Sequence, residues 1–251
     1  MQGKAKGIFS GNALKIVAAV SMLIDHFGMI FFPHTALFRI LGRLAFPLFA
    51  FFIAEGCYYT RNKLRYFLTV FLLGVAFQAV YYFVEKTEYY GILLTFSLSI
   101  VTCYALQAFK NALFSTKGTA LKRVLTGLGF AVCVAGVYAL NRFFVIDYGF
   151  FGCMAPVFVT LAYPPKEGAA WWEKRLTNNL VKSVLLGLSL VGLAFFNTGA
   201  MSVQGYALCA LTLILLYSGE RGRWKMKYFF YIFYPLHLVI LYGVAFFIQY
   251  F

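Results

Sequence analysis

Acidic residues are scarce: 8 Asp and Glu stand against 22 Lys and Arg in 251 residues, a formal net charge of +14. Histidine is scarcer still, with 3 residues, and there are only 6 prolines. No Pro/Gly/Ser-rich linker, internal repeat or low-complexity tract divides the chain, which reads as one domain over residues 1–251. The 5 cysteines form no CxxC and no zinc spacing. Cys57, Cys103, Cys133, Cys153 and Cys209 therefore read as buried small hydrophobes rather than disulfides or ligands. There is no Ser-His-Asp order, no HExxH and no phosphate loop, so hydrolase and metalloprotease chemistry has no support. No cleavable signal is expected, because the first apolar run is long and ends in Asp25-His26 rather than in a small-residue cleavage site.

What is abundant is apolar: 62% of the residues are hydrophobic and 20% aromatic. A soluble domain does not carry that much apolar surface. The fold class is all-α, a polytopic transmembrane bundle of about nine spans, near 12–32, 35–59, 64–84, 91–109, 121–140, 147–163, 179–196, 202–217 and 228–250. Basic residues collect on alternate loops. Lys4, Lys6 and Lys15 lie at the start; Arg61, Lys63 and Arg65 follow the second span; Lys110, Lys117, Lys122 and Arg123 follow the fourth. Lys166, Lys174, Arg175 and Lys182 follow the sixth, and Arg221, Arg223, Lys225 and Lys227 the eighth. The opposite side keeps Lys86 and Arg142, with Arg39 and Arg43 near its end of the second span. The N-terminus is thus expected in the cytoplasm and the C-terminus outside. The same rule accounts for the positive charge, so membrane lipid and not nucleic acid is the expected surrounding.

Ionised groups nevertheless sit inside the apolar runs. On a helical wheel Asn12, Lys15, Met22 and His26 fall within roughly 80° of one another. His26 lies about 16 Å along the axis from Lys15. A charge at the mouth and a titratable base deep inside, on one face, suggest a ligand-lined channel of the length of an extended pantetheine arm. Asp25 cannot share the direction of His26. It either pairs with an arginine of the second span or orients a histidine from another helix. Arg39 and Arg43, one turn apart, are either snorkelling cations or a clamp for a carboxylate or carbonyl, with Asp25 as the internal partner. Pro47 should bend the second span. Glu55 has a structural pairing with Arg61 or Lys63 as its first reading. In the last span Tyr231, Tyr234 and His237 have near-helical spacing, with Pro235 breaking the middle. His237 is either a satisfied core residue or, with His26, part of a shared cavity. His34 reads as surface, and Asp147 as a helix cap. Ionisable groups in membrane spans are costly and mark pathways or sites by default.

These pieces together resemble the TraX family, named for the F-pilin acetylase. The resemblance covers nearly the whole chain and rests on "LKIVAAVSMLIDH" (14–26), "FRILGRLAFPLFAFFIAEGCYYTRN" (38–62), "DYGFFG" (147–152) and "FYIFYPLHL" (230–238). That family is in turn similar to membrane acyltransferases of the acyltransferase-3 type and to heparan glucosaminide acetyltransferase. The resemblance implies acetyl transfer from cytoplasmic acetyl-CoA to an external acceptor. The acceptor is a protein N-terminal amine, as in a pilin-like subunit, or an amine or hydroxyl of an envelope glycan. It also implies a bacterial cytoplasmic membrane. By the same resemblance His26 is the catalytic residue and Lys15 the basic residue of its motif.

On that expectation the phosphates of acetyl-CoA meet Lys15, Arg61 and Lys63, with Asn12 on the Lys15 face. His26 then acts as general base or carries the acetyl group transiently. Asp25 raises the basicity of an imidazole it touches, His237 shares the cavity, and Arg43 or Tyr234 stabilises the oxyanion. Two other classes use the same charges. A transporter or channel would line a permeation path with them, although no inverted repeat is visible. A membrane scaffold would keep them as structural pairs.

Overall fold

The computed structural model describes residues 7–85, 89–116, 118–166, 177–198, 203–224 and 226–250. Of the basic residues used above to orient the chain, Lys4, Lys6, Lys86, Lys117, Lys174, Arg175 and Lys225 lie outside the described residues. The described residues are mostly helical. In order it forms α1 (Gly11–Phe31), α2 (Ala36–Gly42), α3 (Ala45–Tyr59), α4 (Lys63–Glu85), β1 (Tyr89–Tyr90), α5 (Ile92–Phe114), α6 (Ala120–Phe143), β2 (Val145–Ile146) and α7 (Gly149–Leu161). Then come α8 (Asn179–Thr198), a 3-10 helix (Val203–Cys209), α9 (Ala210–Leu215) and α10 (Lys227–Tyr250). Helices are what lipid demands, because each satisfies its own backbone groups.

Among the described residues 6 helical stretches are long and apolar enough to cross a membrane: Gly11–Phe31, Ala36–Tyr59, Ile92–Phe114, Ala120–Phe143, Asn179–Phe196 and Phe229–Gln249. The protein is therefore a helical membrane protein with 6 candidate crossings. The three other expected spans coincide with α4 and with two shorter apolar segments, Gly149–Leu161 and Val203–Leu215.

Of two local expectations about proline, one is met and one corrected. The second span is interrupted at Arg43-Leu44, one turn ahead of Pro47, where a proline removes the backbone bond to the carbonyl four residues back. Pro235 does not break the last span, since α10 runs through it from Lys227 to Tyr250. Asp147 does not hold the cap position of α7. That place belongs to Tyr148, in the left-handed region at φ 60, and no side chain caps the helix. The Asp147 carbonyl instead accepts from the Thr95 hydroxyl at 2.9 Å.

The chain clusters into two compact units, Met1–Phe49 with Thr198–Phe251, and Ala50–Asn197. In the first, Ser10 caps α1 by accepting from the Ala13 amide at 3.2 Å. The loop after α9 covers the same helix end: the Gly11 and Asn12 amides donate to the Glu220 and Arg221 carbonyls at 2.8 and 2.9 Å. Helix α1 then packs on α2 and α10, burying Leu14, Ala18, Ala19 and Met22. Glycine permits the closest approaches. A Cβ on Gly28 would collide with Phe38, and one on Gly42 with Asp25. Gly42→Val is accordingly expected to push α2 off α1 and to cost about 1–3 kcal/mol, read as a lower midpoint of thermal unfolding in detergent. An unchanged midpoint would show that α2 does not need this contact.

In the second unit α5 lies against α4, α6 and α7. Small polar residues join these helices. Ser99 donates to the Cys153 carbonyl at 2.8 Å, and Ser189 of α8 to the Phe151 carbonyl at 2.7 Å. Such bonds hold helices together where lipid provides no hydrophobic drive. Strands β1 and β2 pair in parallel, Tyr89 with Val145 and Tyr90 with Ile146. The cysteines are unpaired; Cys57, Cys103 and Cys153 are buried, but Cys133 is only half-buried and Cys209 is exposed, against the expectation that all five are core residues.

Candidate functional site

Helix α1 presents Asp25 and His26 in two directions, as consecutive residues on a helix must. Asp25 faces α2. Its carboxylate takes Arg39 Nη1 at 3.0 Å on one oxygen and Arg43 Nη2 at 3.4 Å on the other. The second span supplies both arginines because Arg43, four residues after Arg39, is the last residue of the α2 turn before the break. Arg43 is further fixed by its Nη1, which donates to Gln204 Oε1 at 3.0 Å, and by its Nε, which donates to the Arg39 carbonyl at 3.3 Å. Its side chain is 11% exposed and that of Asp25 15% exposed, whereas Arg39 at 36% reaches the surface. The buried carboxylate is therefore neutralised inside the membrane by cations that are themselves held.

His26 faces α10. Its Nδ1 lies 3.0 Å from Nε2 of His237, with ring centroids 5.0 Å apart. His237 Nδ1 lies 2.9 Å from the Phe233 carbonyl, one turn earlier in α10. A carbonyl can only accept, so His237 carries its proton on Nδ1. In the neutral ring its Nε2 is then the acceptor, and the proton between the two rings belongs to His26 Nδ1. The lone pair of His26 is left on Nε2. One backbone carbonyl in α10 thus sets both tautomers, a second-residue effect of the kind that commonly decides which nitrogen of a histidine reacts. The Phe233 ring stacks on His237 at 5.2 Å and 9°, and Tyr234 stands edge-on to it at 6.0 Å. His237 is only 3% exposed.

The expected site residues divide accordingly. Asp25, His26, Arg43 and His237 come together, with Tyr234 beside them. Asn12 Nδ2 donates to the Trp224 carbonyl at 2.6 Å and so fastens the loop after α9 to α1. Lys15 lies half-buried on α1, toward its N-terminal end. Arg61 and Lys63 belong to the second unit, where Arg61 is exposed and Lys63 sits 4.9 Å over the Tyr104 ring. His34 is exposed, as read from its loop. Gln204 was not anticipated. The available signal was an uncharged amide inside a short apolar segment, where every polar side chain needs a partner.

Glu55 is the other correction. It pairs with neither Arg61 nor Lys63. Its Oε1 takes Lys182 Nζ at 2.8 Å and a hydrogen bond from the Tyr163 hydroxyl, all within the second unit. Lys182 is 5% exposed and lies 4.2 Å over the Tyr163 ring and 5.6 Å over that of Phe51. A cation between two aromatic faces and a carboxylate is a well-satisfied structural pair.

The model of the TraX protein family matches residues 10–245. The probable fimbrial assembly protein FimC, serogroup H1, of Dichelobacter nodosus is 25% identical over 259 residues, covering 96% of this chain and 98% of that protein. The uncharacterized protein RP591 of Rickettsia prowazekii (strain Madrid E) is 30% identical over 104 residues, 41% of this chain and 39% of that protein. No solved structure matches.

Proposed function

This chain belongs to the TraX family, and we propose that it acts there as a membrane acetyltransferase. The acetyl group passes from cytoplasmic acetyl-CoA to an amine or hydroxyl presented on the external side of a bacterial cytoplasmic membrane. The observation that carries the reading is the 3.0 Å contact between His26 and His237, whose tautomers leave His26 Nε2 as a base. His26 Nε2 takes the proton of the acceptor N–H or O–H as the nucleophile attacks the thioester carbonyl. The imidazolium formed is steadied by the lone pair of His237 Nε2. When the C–S bond breaks, the same proton returns to the departing thiolate, so no proton is gained or lost overall. Arg43, clamped by Asp25 and Gln204, supplies a fixed positive charge to the region where the oxyanion develops. Lys15, toward the cytoplasmic end of the same helix, meets the charged end of the donor.

The likeness to a probable fimbrial assembly protein of Dichelobacter nodosus favours a fibre subunit as acceptor, and the amine of such a subunit is the acceptor class proposed first. The test is release of free thiol from acetyl-CoA by the purified protein in proteoliposomes, with a short N-terminal peptide or glucosamine as acceptor probe. Transfer to either probe that is lost in His26→Ala is the expected result. Absence of both binding and turnover in folded wild-type protein would overturn the assignment.

A further inference from the structure

The second unit contains an apolar groove that the reaction above does not use. Helices α4 and α6 both pack on α5, and the groove runs between them with α5 as its floor. Leu94, Leu98 and Val101 form that floor, at the spacing of one helix face. On the α4 side Phe67 and Phe71 stack at 5.4 Å and 14° into a flat wall, and Leu140 stands on the α6 side. Ser97 brings a hydroxyl to the floor, but it already donates to the Leu93 carbonyl at 2.8 Å. The groove therefore asks no hydrogen bond of its occupant there, and hydrocarbon suits it. Val101, Leu140 and Phe144 are exposed, so the groove opens sideways, which in a membrane protein is toward lipid.

Size and charge narrow the class of occupant. The cavity is about 280 Å³. That is room for about nine methylene-sized groups, each taking roughly the ~30 Å³ of a water. From Leu94 to Val101 the floor runs about 10 Å along the helix axis. A partner helix about 10 Å across would displace on the order of 800 Å³ over the same length. One extended acyl chain matches both dimensions, and a helix does not fit. At one end Tyr90 and Phe144 stand edge to face at 5.5 Å. Helix α5 begins there, with Gly91 at its cap position and no side chain on its first N–H groups, so its positive dipole end lies at the groove mouth. Arg142, in the last turn of α6, is exposed at the same end, and its guanidinium meets no carboxylate among the described residues. Both features complement an anionic phosphate.

We propose that this groove holds one acyl chain of a membrane glycerophospholipid, with the lipid phosphate at Arg142 and the start of α5. The site is independent of the acetyltransferase reading. A chain that leaves the bilayer for the groove exchanges one apolar surrounding for another, so the phosphate decides the affinity. The experiment is native mass spectrometry of the purified full chain in detergent, titrated with phosphatidylglycerol and with diacylglycerol carrying the same chains. Wild type is compared with Arg142→Gln and Leu140→Trp. The expected result is a saturable adduct of one phosphatidylglycerol, held roughly fivefold more tightly than diacylglycerol, the worth of one basic residue beside a lipid phosphate. Arg142→Gln, a change at an exposed position, keeps its unfolding midpoint and loses that preference. Leu140→Trp fills the groove and loses the adduct with either lipid. Equal binding of the two lipids by wild type, or no discrete adduct, overturns the proposal without any variant. A folded Leu140→Trp protein that binds as wild type does overturns it as well, because the chain then lies elsewhere. A dimer that Leu140→Trp dissociates, with no lipid adduct, puts a second copy of the chain in the groove and overturns the lipid assignment. If Leu140→Trp does not fold, the preference lost or kept in Arg142→Gln decides alone.

Discussion

His26→Ala should lower acetyl transfer by roughly 10²- to 10⁴-fold, the range that a positioned general base contributes, while acetyl-CoA still binds. The side chain to be lost is a proton acceptor and not a donor-binding group, so the change belongs in kcat. Full activity in the variant would end the assignment of His26 as the base. His237 gives the sharper version of the experiment. Its Nε2 accepts from His26 Nδ1 at 3.0 Å, so removing that acceptor leaves the His26 ring with the Met22 backbone, one turn back, as its remaining partner and less firmly oriented. His237→Phe keeps the stacking on Phe233 but deletes the acceptor; His237→Gln supplies an amide oxygen near the same place. Activity in the order wild type, Gln, Phe is expected. Equal loss in Gln and Phe would place the role of His237 in packing rather than in orienting His26.

How far this site was legible in the sequence depended on distance along the chain. The helix limits followed from apolar runs and their punctuation, and α1 begins within a residue of its expected start. The pairing of Asp25 with the arginines was readable because α1 and α2 are joined by a short turn, and an ionised carboxylate in an apolar hairpin has few other partners. That His26 and His237 share a site was readable only as the scarcity of histidine, 3 in the chain; the tautomer order needed the Phe233 carbonyl. Glu55 shows the limit. Its true partner, Lys182, is 127 residues away, and on sequence alone the nearer bases Arg61 and Lys63 were the natural choice. The Pro235 expectation failed for a related reason: whether a proline breaks a helix depends on the packing around it, and helix α10 runs through Pro235, whereas Pro47 does coincide with an interruption one turn ahead of it.

Lys182→Met should destabilise the protein severely, by about 3–5 kcal/mol, because it strands the Glu55 carboxylate in a buried place. Tyr163 would still donate to it, which keeps the loss toward the lower end. Glu55→Leu should cost a similar amount by stranding the ammonium, although its two aromatic faces at 4.2 and 5.6 Å retain part of its stabilisation. The double variant Glu55→Leu/Lys182→Met removes both charges and fills the space with apolar atoms of comparable size. Buried ion pairs replaced in this way are often neutral or stabilising, so the double variant is expected to recover most of what each single change loses. Thermal unfolding in detergent measures this cycle, and acetyl-CoA turnover measured alongside it decides the role of the pair. Recovery of both stability and turnover makes Glu55 and Lys182 a structural brace of the second unit. Recovery of stability with turnover still lost makes the buried carboxylate or ammonium part of the transfer machinery, a role that the pairing of the two groups with each other and with Tyr163 argues against.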